Sequence, residues 1–174
     1  TLIGFTILKP TPLLWINLIT DCFPALALGM EAAERNIMHR PPRDKKEGIF
    51  AGGLGTDVAY QGILIGAVTV GAYFVGHWLE LVLHGDPATF WATFRNSQDG
   101  MTMAFLTMSM AEIFHAYNMR SDRGSIFTLK GHNKWLFGAM LFSFAATALV
   151  IYVKPLARLF GFTSISFVEY AASI

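Results

Sequence analysis

Charge is what this sequence has least of. Asp, Glu, Lys and Arg make up 14% of its 174 residues, where a soluble domain carries about a quarter. With 53% hydrophobic residues and a mean hydropathy of +0.46, the chain reads as a membrane protein. Its net charge is only +1 and it has no basic groove interleaved with aromatic residues, so nucleic acid is excluded as a partner. A single cysteine, Cys22, leaves no internal disulfide to form. Gly-rich phosphate loops, nucleophile elbows and zinc-ligand spacings are also absent, so no catalytic or cofactor-binding residue is assigned. No charged leader with a cleavage site precedes the apolar segments. The chain starts at Thr1 and stops inside SFVEYAASI, and both ends read as cuts in a longer polypeptide.

Long apolar runs are abundant instead. Four stand out, at 11–30, 56–83, 101–118 and 135–153, each near the roughly 20 residues that cross about 30 Å of hydrocarbon as a helix. Residues 1–8 and 162–174 suit partial spans at either end. The expected fold is therefore all-α: a transmembrane helical bundle of about four complete spans plus these partial ones. Lys and Arg alternate along the chain, with five in 31–54 and four in 119–134 but one each before the first run and in 84–99. The positive-inside rule then makes 31–54 and 119–134 cytoplasmic loops. All four tryptophans and Tyr152 fall near run ends, where their rings favour the lipid interface. The loop RPPRDKKEG, stiffened by Pro41-Pro42, suits either a docking connector or a solvated turn. Within the second run, Gly62-x-x-x-Gly66 and Ala67-x-x-x-Gly71 would let helix backbones approach closely.

Two of the twelve acids lie deep in apolar runs, Asp21 in the first and Glu112 in the third. On insertion scales a charge at mid-bilayer costs about 3 kcal/mol. Such acids persist if they pair, protonate or hold a cation, and neither run core offers a lysine or arginine. Asn17, Thr20 and Asp21 stand at i, i+3 and i+4, which places their oxygens on one helical face. Pro24 has no N–H and would free the Thr20 carbonyl one turn back. The set is hard oxygen, the chemistry of calcium, which takes six to eight such ligands. Glu112 adds a second carboxylate if the first and third runs are neighbours, with Ser109 and His115 on its face. Asp21 as protonated interhelical glue, His115 as an interfacial histidine, and Cys22 and the methionines of MTMAFLTMSM as packing are the plainer alternatives.

The stretch LLWINLITDCFPALALGMEAAERNIMHRPPRD resembles the sixth transmembrane helix and following loop of the P-type ATPases. The closest pattern is that of the calcium pumps of the sarco/endoplasmic-reticulum type and their bacterial relatives. MTMAFLTMSMAEIFHAYNMRS is similar to the eighth helix of the same pumps. The resemblance runs from the end of the fifth helix to the start of the tenth, so residues 1–174 would form the C-terminal transmembrane domain. It implies that Asn17, Thr20, Asp21 and Glu112 are metal ligands for transported Ca2+, with Asp21 bridging two sites. The remaining ligands would come from the missing N-terminal helices. The phosphorylated aspartate, the nucleotide-binding domain with its ATP and Mg2+, and the actuator domain would also precede Thr1. The partners implied are thus the lipid bilayer and the missing helices and cytoplasmic domains of the same polypeptide. Cys22 departs from the glycine common in animal pumps and would make the helix break less pliable.

The function implied is part of an ATP-driven calcium pump, multi-pass in a membrane, with the bacterial cell membrane favoured. The segment alone would not hydrolyse ATP, whereas the intact protein would be an enzyme. A Na+ or Na+/K+ pump shares the T-D-x-x-P core. A secondary transporter or channel with an interrupted helix, and a non-transporting scaffold, belong to other classes.

Overall fold

The runs that the sequence marks as apolar fold as helices. The structure, a computed structural model, describes residues 7–31, 38, 48, 50–84, 89–120 and 133–163. Helix α1 (Pro10–Trp15) passes through a π segment (Ile16–Asp21) into α2 (Cys22–Gly29). Helix α3 spans Leu54–His84, and the short α4 (Phe90–Thr93) precedes α5 (Gln98–Asn118). Helices α6 (Lys134–Tyr152) and α7 (Lys154–Phe160) complete the order. Among the described residues there is no strand. Most of the expected loops 31–54 and 119–134, and of the partial spans at 1–8 and 162–174, lies outside the described residues.

Elementary rules place the boundaries. Pro10 opens α1, where a missing N–H costs nothing. Ser97 caps α5 by accepting from the Gly100 N–H at 3.0 Å, and Asn133 caps α6 by accepting from the Leu136 N–H at 3.0 Å. Residues 154–161, read from sequence as a connection, are helical because Pro155 suits a first turn and Gly161 closes the last in the left-handed region, φ 75°.

Among the described residues, three helices are long and apolar enough to cross a membrane: Pro10–Gly29 through the π segment, Leu54–Leu83 and Lys134–Tyr152. The chain is thus a multi-pass membrane protein. Helix α5, expected as a fourth span, has the length at 21 residues but not the composition. Its position explains the difference. Ten of its residues, Gly100 to Ile113, are buried, so the bundle rather than lipid surrounds most of its polar side chains. Ile16, Phe105, Leu106, Met110, Ile113, Val150 and Ile151 share one core between the π segment, α5 and α6.

Helix α3 lies along the other side of α5, and the two backbones nearly touch. A methyl group at Gly76 would stand 3.0 Å from both the Asp99 carbonyl oxygen and Gly100 Cα, and 2.9 Å from Met103 Sδ. One at Gly100 would stand 2.9 Å from the Tyr73 carbonyl oxygen. The close approach is therefore at Gly76 and Gly100, whereas Gly62, Gly66 and Gly71 have open space beside them among the described residues. Polar bonds finish this contact. The Tyr73 hydroxyl donates to the Phe94 carbonyl at 2.6 Å, and the Ser97 hydroxyl donates to Glu80 Oε2 at 2.5 Å.

One carboxylate joins the opposite ends of three helices. Glu31, just past α2, accepts from Arg120 Nη2 at 2.8 Å and Arg120 Nε at 3.3 Å. Asn133 Nδ2 lies 2.6 Å from Glu31 Oε2 and 2.9 Å from the Ala27 carbonyl oxygen. This clasp fastens the end of α2 to the end of α5 and the start of α6.

Candidate functional site

The interrupted helix is built by what Pro24 lacks. With no N–H to return to the preceding turn, an α-helical register cannot continue unbroken through it. The chain widens into i→i+5 bonding over Ile16–Asp21, which takes in an extra residue before Pro24. Side chains then serve the loosened carbonyls. The Ser143 hydroxyl on α6 donates to the Ile19 carbonyl at 2.8 Å. Cys22 Sγ donates to the Asn17 carbonyl at 3.1 Å, a tie across the turn that glycine could not make. The sequence pointed to Thr20 as the carbonyl released by Pro24, but the outside donor reaches Ile19. Counting back five from Pro24, as the π register does, gives Ile19.

Thr20 turns inward and is 1% exposed. Its Oγ1 lies 2.7 Å from the Ile16 carbonyl oxygen and 2.9 Å from Glu112 Oε2. One hydroxyl proton serves both acceptors and can satisfy only one fully at a time. Glu112 is half-buried on α5, and its carboxyl group lies close to that of Asp21. The two deep acids thus face each other across neighbouring helices. His115 stands one turn along α5 from Glu112. No lysine or arginine pairs with either acid among the described residues.

Three of the four sequence-predicted site residues come together: Thr20, Asp21 and Glu112. Asn17 does not join them. Its side chain is exposed and forms no hydrogen bond with the other three among the described residues. The wider π turn separates it from Thr20, which in a regular helix would have shared its face. Ser109, one turn before Glu112, is fully buried, and its hydroxyl has no hydrogen-bond partner among the described residues. Thr147 on α6 and Trp15 Nε1 are likewise buried without a partner. Buried polar atoms are seldom left so, and Ser109 is a further oxygen on the carboxylates' face of α5.

This arrangement can supply hard oxygen ligands but cannot enclose an ion by itself. Among the described residues no three His, Cys, Asp or Glu side chains converge. Two carboxylates and one or two hydroxyls fall short of the six to eight oxygens that calcium takes.

Comparison with known proteins covers the stretch that holds these residues. The family model described as "Cation transporting ATPase, C-terminus" matches residues 5–174. A calcium-transporting ATPase of Bacillus subtilis is 36% identical over 159 residues, covering 91% of this chain and 16% of that protein. Calcium-transporting ATPase 1 of Bacillus cereus is 34% identical over 163 residues, 90% of this chain and 18% of the relative. An endoplasmic reticulum-type calcium-transporting ATPase 3 of Arabidopsis thaliana is 28% identical over 183 residues, 95% of the chain and 18% of the relative. The chain therefore spans less than a fifth of the length of these relatives.

Proposed function

This chain belongs to the cation-transporting ATPase family, of which it is the C-terminal region, and from that premise we propose that it holds part of the transport site of an ATP-driven calcium pump. The observation that carries the proposal is the meeting of Thr20 and Asp21, on an interrupted helix, with Glu112 on its neighbour. Two facing carboxylates cannot both stay ionised unless something positive lies between them. A removable cation supplies that charge in a transporter, where a permanent lysine or arginine would block it.

The oxygen-only ligand set suits calcium better than a soft metal, and the named relatives are calcium-transporting. In this reading Asp21 and Glu112 supply charge, and Thr20 supplies a neutral oxygen held in place by the Ile16 carbonyl. Asn17 joins them when the π segment changes register. Ligands to complete the shell come from other helices of the same polypeptide, and ATP and Mg2+ act in domains outside this chain. Residues 31–54 and 119–134 face the cytoplasm, so α1 and α2 run from the outer surface inward and α5 does the same. Phosphorylation elsewhere shifts these helices and weakens the cage. By reciprocity, an occupied cage favours phosphorylation.

Cation-stimulated ATP hydrolysis by the full-length protein tests this. Calcium is expected to stimulate it, and Asp21→Asn to remove the stimulation. Stimulation by sodium with no response to calcium would assign the same site to a sodium pump. Hydrolysis in Asp21→Asn with unaltered calcium dependence would refute the site.

A further inference from the structure

We propose that Glu31 is a positioning residue for the carboxylate pair: its clasp with Arg120 and Asn133 sets the register in which Thr20 and Asp21 meet Glu112. The proposal rests on the site reading above for its transport consequence, but its structural claim stands on separate contacts.

The same three elements are tied at two levels. Deep in the bundle, Thr20 meets α5 through Glu112, and Ile19 meets α6 through Ser143. At the helix ends, Glu31 meets α5 through Arg120 and α6 through Asn133. Between the two levels lies α2, eight residues long, or about 12 Å at 1.5 Å per residue. On one side of α2 is the π segment, where the regular i→i+4 bonding is interrupted. On the other is the clasp, and a rod joined through such a break takes its direction from whatever holds its far end.

The clasp has the construction for that task. Exposed ion pairs between two long side chains hold little. Here the Arg120 side chain is only 3% exposed, and its guanidinium addresses both Glu31 oxygens, the two-pronged geometry that fixes orientation as well as distance. Tyr117, one turn back on α5, backs the guanidinium with its ring centroid 5.4 Å from Arg120 Cζ. Asn133 adds a third direction. Its amide group bridges Glu31 and the Ala27 carbonyl, while its oxygen caps α6. Sliding or turning α2 therefore breaks several bonds together. Glu31 is also where α2 gives way to the connector of residues 31–54, so force arriving through that connector meets the clasp before it reaches the site.

The test uses the full-length protein with Glu31→Gln, Arg120→Gln and the double variant, read in two ways. Cys22, beside the π segment and exposed, reports its conformation through the rate of alkylation by N-ethylmaleimide, measured at that residue by peptide mass spectrometry. Each single variant is expected to change this rate by about threefold or more, the size of effect that coupled positions produce. The double variant should change it no further, because the two side chains act as one unit. In parallel, the calcium concentration for half-maximal ATP hydrolysis should rise by about threefold or more, with the maximal rate within about twofold of wild type. An unchanged Cys22 rate, or single effects that add in the double variant, would overturn the positioning role even if thermal stability fell. If wild-type hydrolysis ignored calcium, the calcium reading would fail instead, and the Cys22 rates alone would decide this proposal.

Discussion

Thr20 Oγ1 and Glu112 Oε2 lie 2.9 Å apart although 92 residues separate them in the chain. That contact joins the one irregular stretch of the first helix to the innermost helix of the bundle. It is also the point at which a half-buried acid finds a neutral oxygen rather than a basic side chain.

Removing the hydroxyl should therefore be felt at the ion. Thr20→Ala is expected to lower calcium affinity of the full-length protein by about tenfold, equivalent to about 1.4 kcal/mol for a hydrogen bond to a charged group. Thr20→Ser, which keeps the oxygen, should stay close to wild type. Calcium titration of ATP hydrolysis distinguishes the two variants.

Ser143 has a different job. Its hydroxyl satisfies the Ile19 carbonyl beside the proline break, so Ser143→Ala leaves a half-buried acceptor without its donor. A loss of about 1–3 kcal/mol in stability is expected, read as a lower midpoint of thermal unfolding in detergent.

The contact between α3 and α5 makes a sharper steric prediction. Gly76→Ala forces a methyl group against the Asp99 carbonyl and Gly100 Cα, at a cost of about 1–3 kcal/mol for overpacking. Shortening Met103 to alanine as well should not rescue it, because the backbone atoms remain in the way. Thermal unfolding of the single and double variants checks this.

The clasp has a pH signature. Arg120, with help from Asn133, holds the Glu31 carboxyl below its usual value near 4.5, against a smaller opposing effect of burial. A carboxylate depressed in the folded state stabilises above its unfolded pKa, and that stability disappears as pH falls through the folded value. The stability difference between wild type and Glu31→Gln should therefore be constant from pH 7 to pH 5.5 and shrink only below about 4.5. A difference that vanished near pH 6 would mean that Glu31 is not the group responsible.

Much of this was legible in the sequence, for identifiable reasons. Four helices could be read from run length, because hydrocarbon thickness fixes how many residues a span needs. Asp21 and Glu112 stood out because a lone acid in an apolar run is costly enough to demand a reason. Other features could not be read because they depend on register or on distant partners. Asn17 looked equivalent to Thr20 under an α-helical count, and the π turn changed that count. The close approach was expected at Gly62-x-x-x-Gly66 and Ala67-x-x-x-Gly71 on spacing alone, yet among the described residues Gly76 and Gly100 make it, since spacing says nothing about which face meets a neighbour. Glu31, Arg120 and Asn133 looked like ordinary residues at helix ends, and their pairing spans 89 and 102 residues.

If Asp21 and Glu112 grip the transported ion together, equilibrium binding of radioactive calcium to the full-length protein reads that grip. Asp21→Asn should abolish high-affinity binding together with calcium-dependent phosphorylation from ATP, and Glu112→Gln should weaken both. Wild-type calcium binding in the Asp21→Asn protein would show that the ion is held elsewhere.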